Sequence, residues 1–182
     1  SLNVGVNAQV LTLNNSWALE PRAGIKWQFS PKSSFALAYG LHSRMEKMDV
    51  YFVKTQGTGD RSVNKDLGFT KAHHVMLSYG FKISDNANMK IEPYFQQLYN
   101  VPVIADSSYS VLNRRDFYVE NVLVNQGKGR NIGVDITLER YLYKGLYYMV
   151  TASIFDSKYY GGDRKWRNTL YNRNFIVNVR SI

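Results

Sequence analysis

Residues 129–141 read GRNIGVDITLERY. Ile132, Val134, Ile136 and Leu138 alternate with Asn131, Gly133, Asp135, Thr137 and Glu139. Successive side chains of an extended chain point to opposite faces, so this stretch makes a strand with one apolar and one polar face. The tyrosine-rich LYKGLYY follows, and then a second extended run, MVTASIF. A face that is apolar throughout needs an apolar neighbour, and a face rich in Asn, Gly, Thr and carboxylates needs water.

The same period of two recurs along the 182 residues. Val4, Val6, Ala8 and Val10 form one series; Ala23, Ile25, Trp27 and Phe29 a second; Phe35, Leu37, Tyr39 and Leu41 a third; Val75, Leu77, Tyr79, Phe81 and Ile83 a fourth. Ile91 and Phe95 continue the pattern, with Pro93 between them pointing to an edge or a bulge. Phe175, Val177 and Val179 close it. The expectation is an all-β chain: an antiparallel up-and-down meander of about eight strands of about ten residues, with no long helix. It is read as a single β-barrel-type domain over residues 1–182.

The connections sort by length. Ser30–Ser33, Ser84–Asn88 and Leu142–Gly145 read as tight turns, and about residues 46–69, 101–128 and 157–168 as long polar loops. Short and long alternate, as in a sheet whose two ends meet different surroundings. The short Asn14–Trp17 connection, on the long-loop side, breaks the rule. A ten-residue strand rises about 33 Å, and a tilt near 45° leaves roughly 24 Å of height, close to the apolar band of an outer-membrane barrel. On this reading the apolar face meets lipid and the polar face a wet lumen. Tyr141, Tyr143, Tyr147 and Tyr148, with Trp27, Phe29 and Phe35 at another turn, form an aromatic girdle at headgroup level. Open sheet edges are not tolerated in hydrocarbon, so the strands either close on themselves or belong to a larger barrel.

Composition removes several function classes. Cysteine is absent, which excludes disulfides and thiolate chemistry. The net charge of +9 favours anionic surfaces such as lipopolysaccharide, nucleic acid or acidic ligands. Gly127–Gly133 has the look of a phosphate loop but leads into a strand, without the helix N-terminus that such a loop needs. His73 and His74, adjacent on a strand, point to opposite faces and cannot chelate one metal together. Asp135 and Glu139 are about 13 Å apart, too far for a carboxylate pair at one bond, and read as lumen charges paired with arginines. No catalytic residue, cofactor or metal is expected. Two loops mix aromatic and basic residues: Tyr109, Arg114, Arg115, Phe117 and Tyr118 in one, and Tyr159, Tyr160, Arg164, Lys165, Trp166 and Arg167 in the other. Arg114, Phe117, Tyr118, Tyr159, Tyr160 and Trp166 are the candidate ligand contacts, suited to stacking and to gripping anions. The competing reading is loop-to-loop packing.

Taken in order, several motifs resemble the barrel of TonB-dependent outer-membrane receptors: EPRAGIKW at 20–27, FSP at 29–31, AYGLHSR at 38–44, KAHH at 71–74, EPYFQ at 92–96, LYNVPV at 98–103, Tyr147-Tyr148 through SIFDS at 153–157, Arg167-Asn168-Thr169, and Asn172-Arg173. The resemblance covers almost the whole chain. It implies an internal segment of a 22-stranded barrel without its plug domain or coupling box, and with Arg180-Ser181-Ile182 where the family ends in an aromatic residue. It further implies a Gram-negative outer membrane, surrounding lipid, and energy-coupled uptake of a large scarce ligand: a siderophore, a cobalamin or a glycan. The partner in the inner membrane would be reached only through parts absent here. Catalysis and nucleic-acid binding are not implied. Two other readings remain open: a complete small eight-stranded barrel acting as anchor or adhesin, and a soluble lipocalin-type ligand-binding barrel.

Overall fold

The computed structural model describes residues 1–55, 62–114, 119–143 and 145–181, residues 142 and 143 by their backbone alone. Among the described residues nine strands form one antiparallel sheet: β1 (Leu2–Leu11), β2 (Ser16–Ser30), β3 (Ser33–Arg44), β4 (Thr70–Ser84), β5 (Ala87–Val103), β6 (Val124–Tyr143), β7 (Leu146–Tyr160), β8 (Trp166–Asn168) and β9 (Phe175–Ser181). They pair in sequence order from β1 to β8, and β9 also pairs with β7. β8 and β9 run in one direction along one edge of β7, β8 beside Lys158–Tyr160 and β9 beside Tyr148–Ile154. Together they amount to one eighth strand, interrupted at Thr169–Asn174, where Asn174 takes a positive φ of 65°. β8 lies inside the stretch expected to be a long loop at 157–168; the actual turn is Gly161–Lys165. The sheet is not closed.

Register carries the alternation across the whole sheet. Ile25 opposes Leu37, Leu37 opposes Leu77, and Phe95 opposes Ile132. Ile91 opposes Ile136, which opposes Ala152, which opposes Val177. A one-residue slip would exchange the faces, so the apolar series hold each other in register. Ile132, Val134, Ile136 and Leu138 share one face, as expected, and it is left uncovered: Val4 is 78% exposed, Trp27 65% and Ile154 63%.

Pro93 does not mark an edge. β5 pairs with β4 on one side and β6 on the other, and Pro93 opposes Val134. The ladder to β4 is broken between Met76↔Tyr94 and Tyr79↔Ile91 and resumes in the same register. A proline has no N–H to donate, and a local gap absorbs the loss. Strands β4 to β7 are also longer than ten residues, from 15 in β4 and β7 to 20 in β6.

The buried core lies at the long-loop end. Val50, Tyr51, Val53, Leu67, Phe69, Val119 and Leu123 pack with Leu11 and Ala18. Val50 and Tyr51 belong to a single helical turn, α1 (Met48–Tyr51). Asn64, 1% exposed, ties this cap together: its Nδ2 donates to Asn121 O (2.9 Å) and its Oδ1 accepts from Leu123 N (2.8 Å). Asn14 Nδ2 donates to Leu67 O (2.8 Å), fastening the short β1–β2 connection to the same cap. That accounts for a short connection at the long-loop end.

Candidate functional site: the polar face and the rim

The polar face is concave. A trough of about 930 Å³ runs across it, lined by residues of β1 to β7 and by Tyr171 from the interruption between β8 and β9. Arg22, His42, His74, Gln96 and Asp135 are among its lining side chains.

Glu20 anchors one side. It is 1% exposed and takes Asn7 Nδ2 (3.0 Å), Gln9 Nε2 (2.7 Å), Ser43 N (2.6 Å) and Arg22 Nη2 (2.9 Å). Burying a carboxylate is tolerated where donors surround it, and these come from β1, β2 and β3. Glu20 thereby fixes the top of three strands and holds the Arg22 guanidinium, half exposed, at the trough wall.

A polar ladder crosses the other strands. Gln96 Nε2 lies 3.4 Å from His74 Nδ1, Asn131 Nδ2 donates to Gln96 Oε1 (2.9 Å), Ser157 Oγ donates to Asn131 Oδ1 (2.7 Å), and Thr169 Oγ1 donates to Ser157 Oγ (3.0 Å). The His42 ring sits 4.7 Å from that of His74. Their 32-residue separation in sequence is closed by the β3–β4 register, which sets Gly40 opposite His74. The expected split of His73 and His74 holds: His73 stacks on Tyr99 at 5.3 Å and bonds Tyr39 Oη at 2.9 Å on the opposite face. Among the described residues no group of three or more His, Cys, Asp or Glu is placed to hold a metal ion.

The glycines of Gly127–Gly133 serve packing. They lie inside β6, not in a loop. A Cβ at Gly133 would stand 2.6 Å from Tyr94 Oη, and one at Gly127 would press on Val103 and Val101. Tyr94 lies across the space that Gly133 leaves, a way of stiffening a glycine position in a strand. Glu139 receives the Tyr147 hydroxyl at 3.5 Å.

The aromatic girdle is only partly where the sequence placed it. Trp27, Phe29, Phe35 and Tyr79 gather on the apolar face, with Trp27 5.6 Å from Phe29 and Phe29 6.4 Å from Tyr79. Tyr148 joins that face opposite Arg140. Tyr141 and Tyr147 point the other way: Tyr141 Oη accepts from Asn88 Nδ2 (3.1 Å), and Tyr147 reaches Glu139. Counting by twos from Ile132 arrives at Arg140 and not at Tyr141, so the parity was present in the sequence. The Tyr143 side chain lies outside the described residues.

The predicted ligand contacts separate into three groups. Phe117 and Tyr118, with Arg115, lie outside the described residues. Arg114 is half-buried after a 3-10 turn (Val111–Asn113), and the neighbouring Asn113 Oδ1 accepts Leu170 N (2.6 Å). Tyr159 is buried at 5% exposure. Tyr160 and Trp166 are brought together, with ring centroids 5.4 Å apart. Lys128 Nζ lies 5.7 Å from the Tyr160 ring and the Arg130 guanidinium 5.5 Å from Trp166. This cluster is on the apolar side of the sheet, above the apolar rows, and not over the trough. Beside it Arg167 Nη1 donates to Asp163 Oδ1 (2.8 Å). That bond holds the Asp163 carboxyl below its ordinary range and pushes Arg167 up. In the cap, burial raises the Tyr51 hydroxyl above its ordinary value.

No protein-family model matches the chain. No curated protein matches its sequence. Among solved structures it resembles the FrpB iron transporter from Neisseria meningitidis, with a TM-score of 0.56 at 17% identity over 82% of this chain. The chain folds like part of an outer-membrane barrel wall. It spans about a fifth (21%) of that neighbour's length, and the likeness is one of fold alone. No helix among the described residues is long and apolar enough to cross a membrane, a test that does not bear on spanning strands.

Proposed function

We propose that this chain is a stretch of barrel wall from an outer-membrane receptor that takes up a large scarce ligand by energy coupling. The ligand class is a siderophore, a cobalamin or a glycan. The supporting observation is the two-sided sheet: an uncovered apolar face running unbroken from Val4 to Val177, backed by a polar trough. A soluble lipocalin-type barrel has the opposite polarity, with its apolar face inside. The open edges of β1 and of β8–β9 favour a place in a larger barrel over a complete eight-stranded one, because unpaired backbone groups in hydrocarbon cost several kcal/mol each.

In this reading the trough residues face the lumen and the capped end faces outward from the cell, since long loops lie on the extracellular side of such barrels. Tyr171 and Arg22 line the path that a ligand takes past the wall. Arg114, with the neighbouring loop residues, contributes to capture. No catalytic step is assigned.

Quenching by brominated acyl chains tests the membrane part. Trp17 and Trp27 are exposed on the apolar face, so the protein reconstituted in vesicles should lose tryptophan emission as bromine is brought to headgroup depth. Unquenched emission would overturn the placement. Uptake is tested by ferric siderophore, cobalamin and oligosaccharide binding to the whole receptor carrying Arg114→Ala or Tyr171→Ala. Weakened binding of one ligand class supports capture at these positions; unchanged affinity for all three removes them from the site.

A further inference from the structure

The outward face changes character at one level. Moving along β6 toward the long loops, the apolar series ends at Ile132, and the next outward side chains are Arg130 and Lys128. Arg130 stands directly opposite Lys158 on β7, and Lys128 opposite Tyr160. Tyr160 in turn opposes Trp166 on β8. Like charges directly opposed on one face of a sheet repel and are destabilising. One carboxylate, Asp156, serves this group: it holds Lys158 Nζ at 3.2 Å while its other oxygen accepts from Asn172 Nδ2 at 3.0 Å. Among the described residues, three cations against one anion leave a local excess of two positive charges. Arg130 Nε, shielded from solvent, has no hydrogen-bond partner among the described residues.

The level at which this excess sits is informative. Arg130 and Arg140 face the same way, ten residues apart on β6. That separation is about 33 Å along a strand and roughly 24 Å across a bilayer at a 45° tilt, which is the height of the apolar band. Arg130 therefore lies at the outer headgroup layer. Trp166 and Tyr160 beside it are the side chains that favour this interface.

We infer that Lys128, Arg130 and Lys158, framed by Tyr160 and Trp166, form a binding site for a phosphate-bearing lipid headgroup of the outer leaflet. The inference rests on the membrane reading above. A phosphate monoester between β6 and β7 would relieve the repulsion of Arg130 and Lys158, and a guanidinium can engage it through two parallel hydrogen bonds. Trp166 and Tyr160 would cover the sugar or glycerol that bears the phosphate. The lipid is held from outside the barrel, so this site and the trough are independent.

The test uses bilayer discs of phosphatidylcholine with increasing mole fractions of a bisphosphorylated glucosamine glycolipid, and with the same glycolipid stripped of phosphate. Thermal unfolding is read for the wild type, for Arg130→Gln/Lys158→Gln, and for Lys26→Gln on the polar face. The phosphorylated lipid should raise the wild-type and Lys26→Gln Tm, and the stripped lipid should not. At about 1 kcal/mol per cation, the double variant should need roughly 30-fold more lipid for half the rise. An equal rise in the double variant, or an equal rise with the stripped lipid, would overturn the site. So would the full rise from inorganic phosphate in plain phosphatidylcholine discs. The discs hold the whole receptor, and its failure to insert into plain discs would instead sink the membrane reading on which the site depends.

Discussion

Val4 and Val50 are the same residue in opposite conditions: 78% exposed on the sheet wall and 0% in the loop cap. The wall sets its large apolar side chains outside, and the cap encloses its own. The cap follows the rule for proteins in water, where apolar area is removed from solvent by packing against itself. The wall obeys the same rule only if its solvent is lipid. On the proposed membrane reading one chain carries two solvents in its sequence, and the boundary lies where Ile132 gives way to Arg130.

Truncation in the cap should give the largest effect. Tyr51 is wholly buried, and its hydroxyl accepts Glu46 N at 3.2 Å. Tyr51→Ala removes a ring from a packed core, which costs about 3–5 kcal/mol for aromatic residues. Proteolysis of residues 45–69 in intact membranes should become rapid in this variant while the strands stay protected. Equal protection of the loop would mean that the cap is not a packed core.

The second prediction contrasts the two solvents. Val134 lies midway between Arg130 and Arg140, opposite Pro93 and Ile154 on the apolar face. Val134→Arg should destabilise the barrel by about 2–4 kcal/mol if that face meets the middle of a bilayer. On a water-facing sheet the same change stays within about 0.5 kcal/mol. Denaturant unfolding from vesicles separates the two outcomes, and a near-zero effect would overturn the comparison itself.

Much of the wall was legible in the sequence because a strand writes its environment at a period of two. The seven apolar series and their shared face could be read directly. The clustering of the tyrosines suggests a single collar, but strand parity puts Tyr141 and Tyr147 on the polar side. The site was less legible. The approach of His42 to His74 and of Arg130 to Lys158 depends on inter-strand register, and register needs the loop lengths resolved first. Strand β8 was hidden because Trp166–Asn168 has no alternation to read: three residues are too few to show a period. The Gly161-Gly162 pair was the available hint. A Cβ at Gly162 would collide with Ile104 O, so the turn packs tightly on the neighbouring loop and brings Trp166 back onto β7.

The smallest expected effect belongs to that same turn. Arg167 Nη1 donates to Asp163 Oδ1 at 2.8 Å, four residues apart across Gly161–Lys165. The bond holds the Asp163 carboxyl below its ordinary value of 3.8. A carboxyl with a lowered folded-state pKa contributes stability that is fully present above its unfolded value and is lost as pH falls through the folded one. The contribution is therefore constant from neutral pH down to about pH 4 and disappears only in stronger acid. The two side chains are half-buried and still reached by solvent, which screens the pair, so the effect on global unfolding should be near the limit of detection. The local readout is Trp166, the first residue after the turn, its ring tilted against that of Tyr160. In wild type its emission should hold steady from pH 7 to 4 and shift below that, as Asp163 takes up a proton and releases Arg167. In Asp163→Asn the emission should already have its acid value at pH 7 and stay flat. A wild-type transition between pH 5 and 7, or an unchanged acid transition in Asp163→Asn, would assign the titration to another group and remove this ion pair from the ordering of the rim.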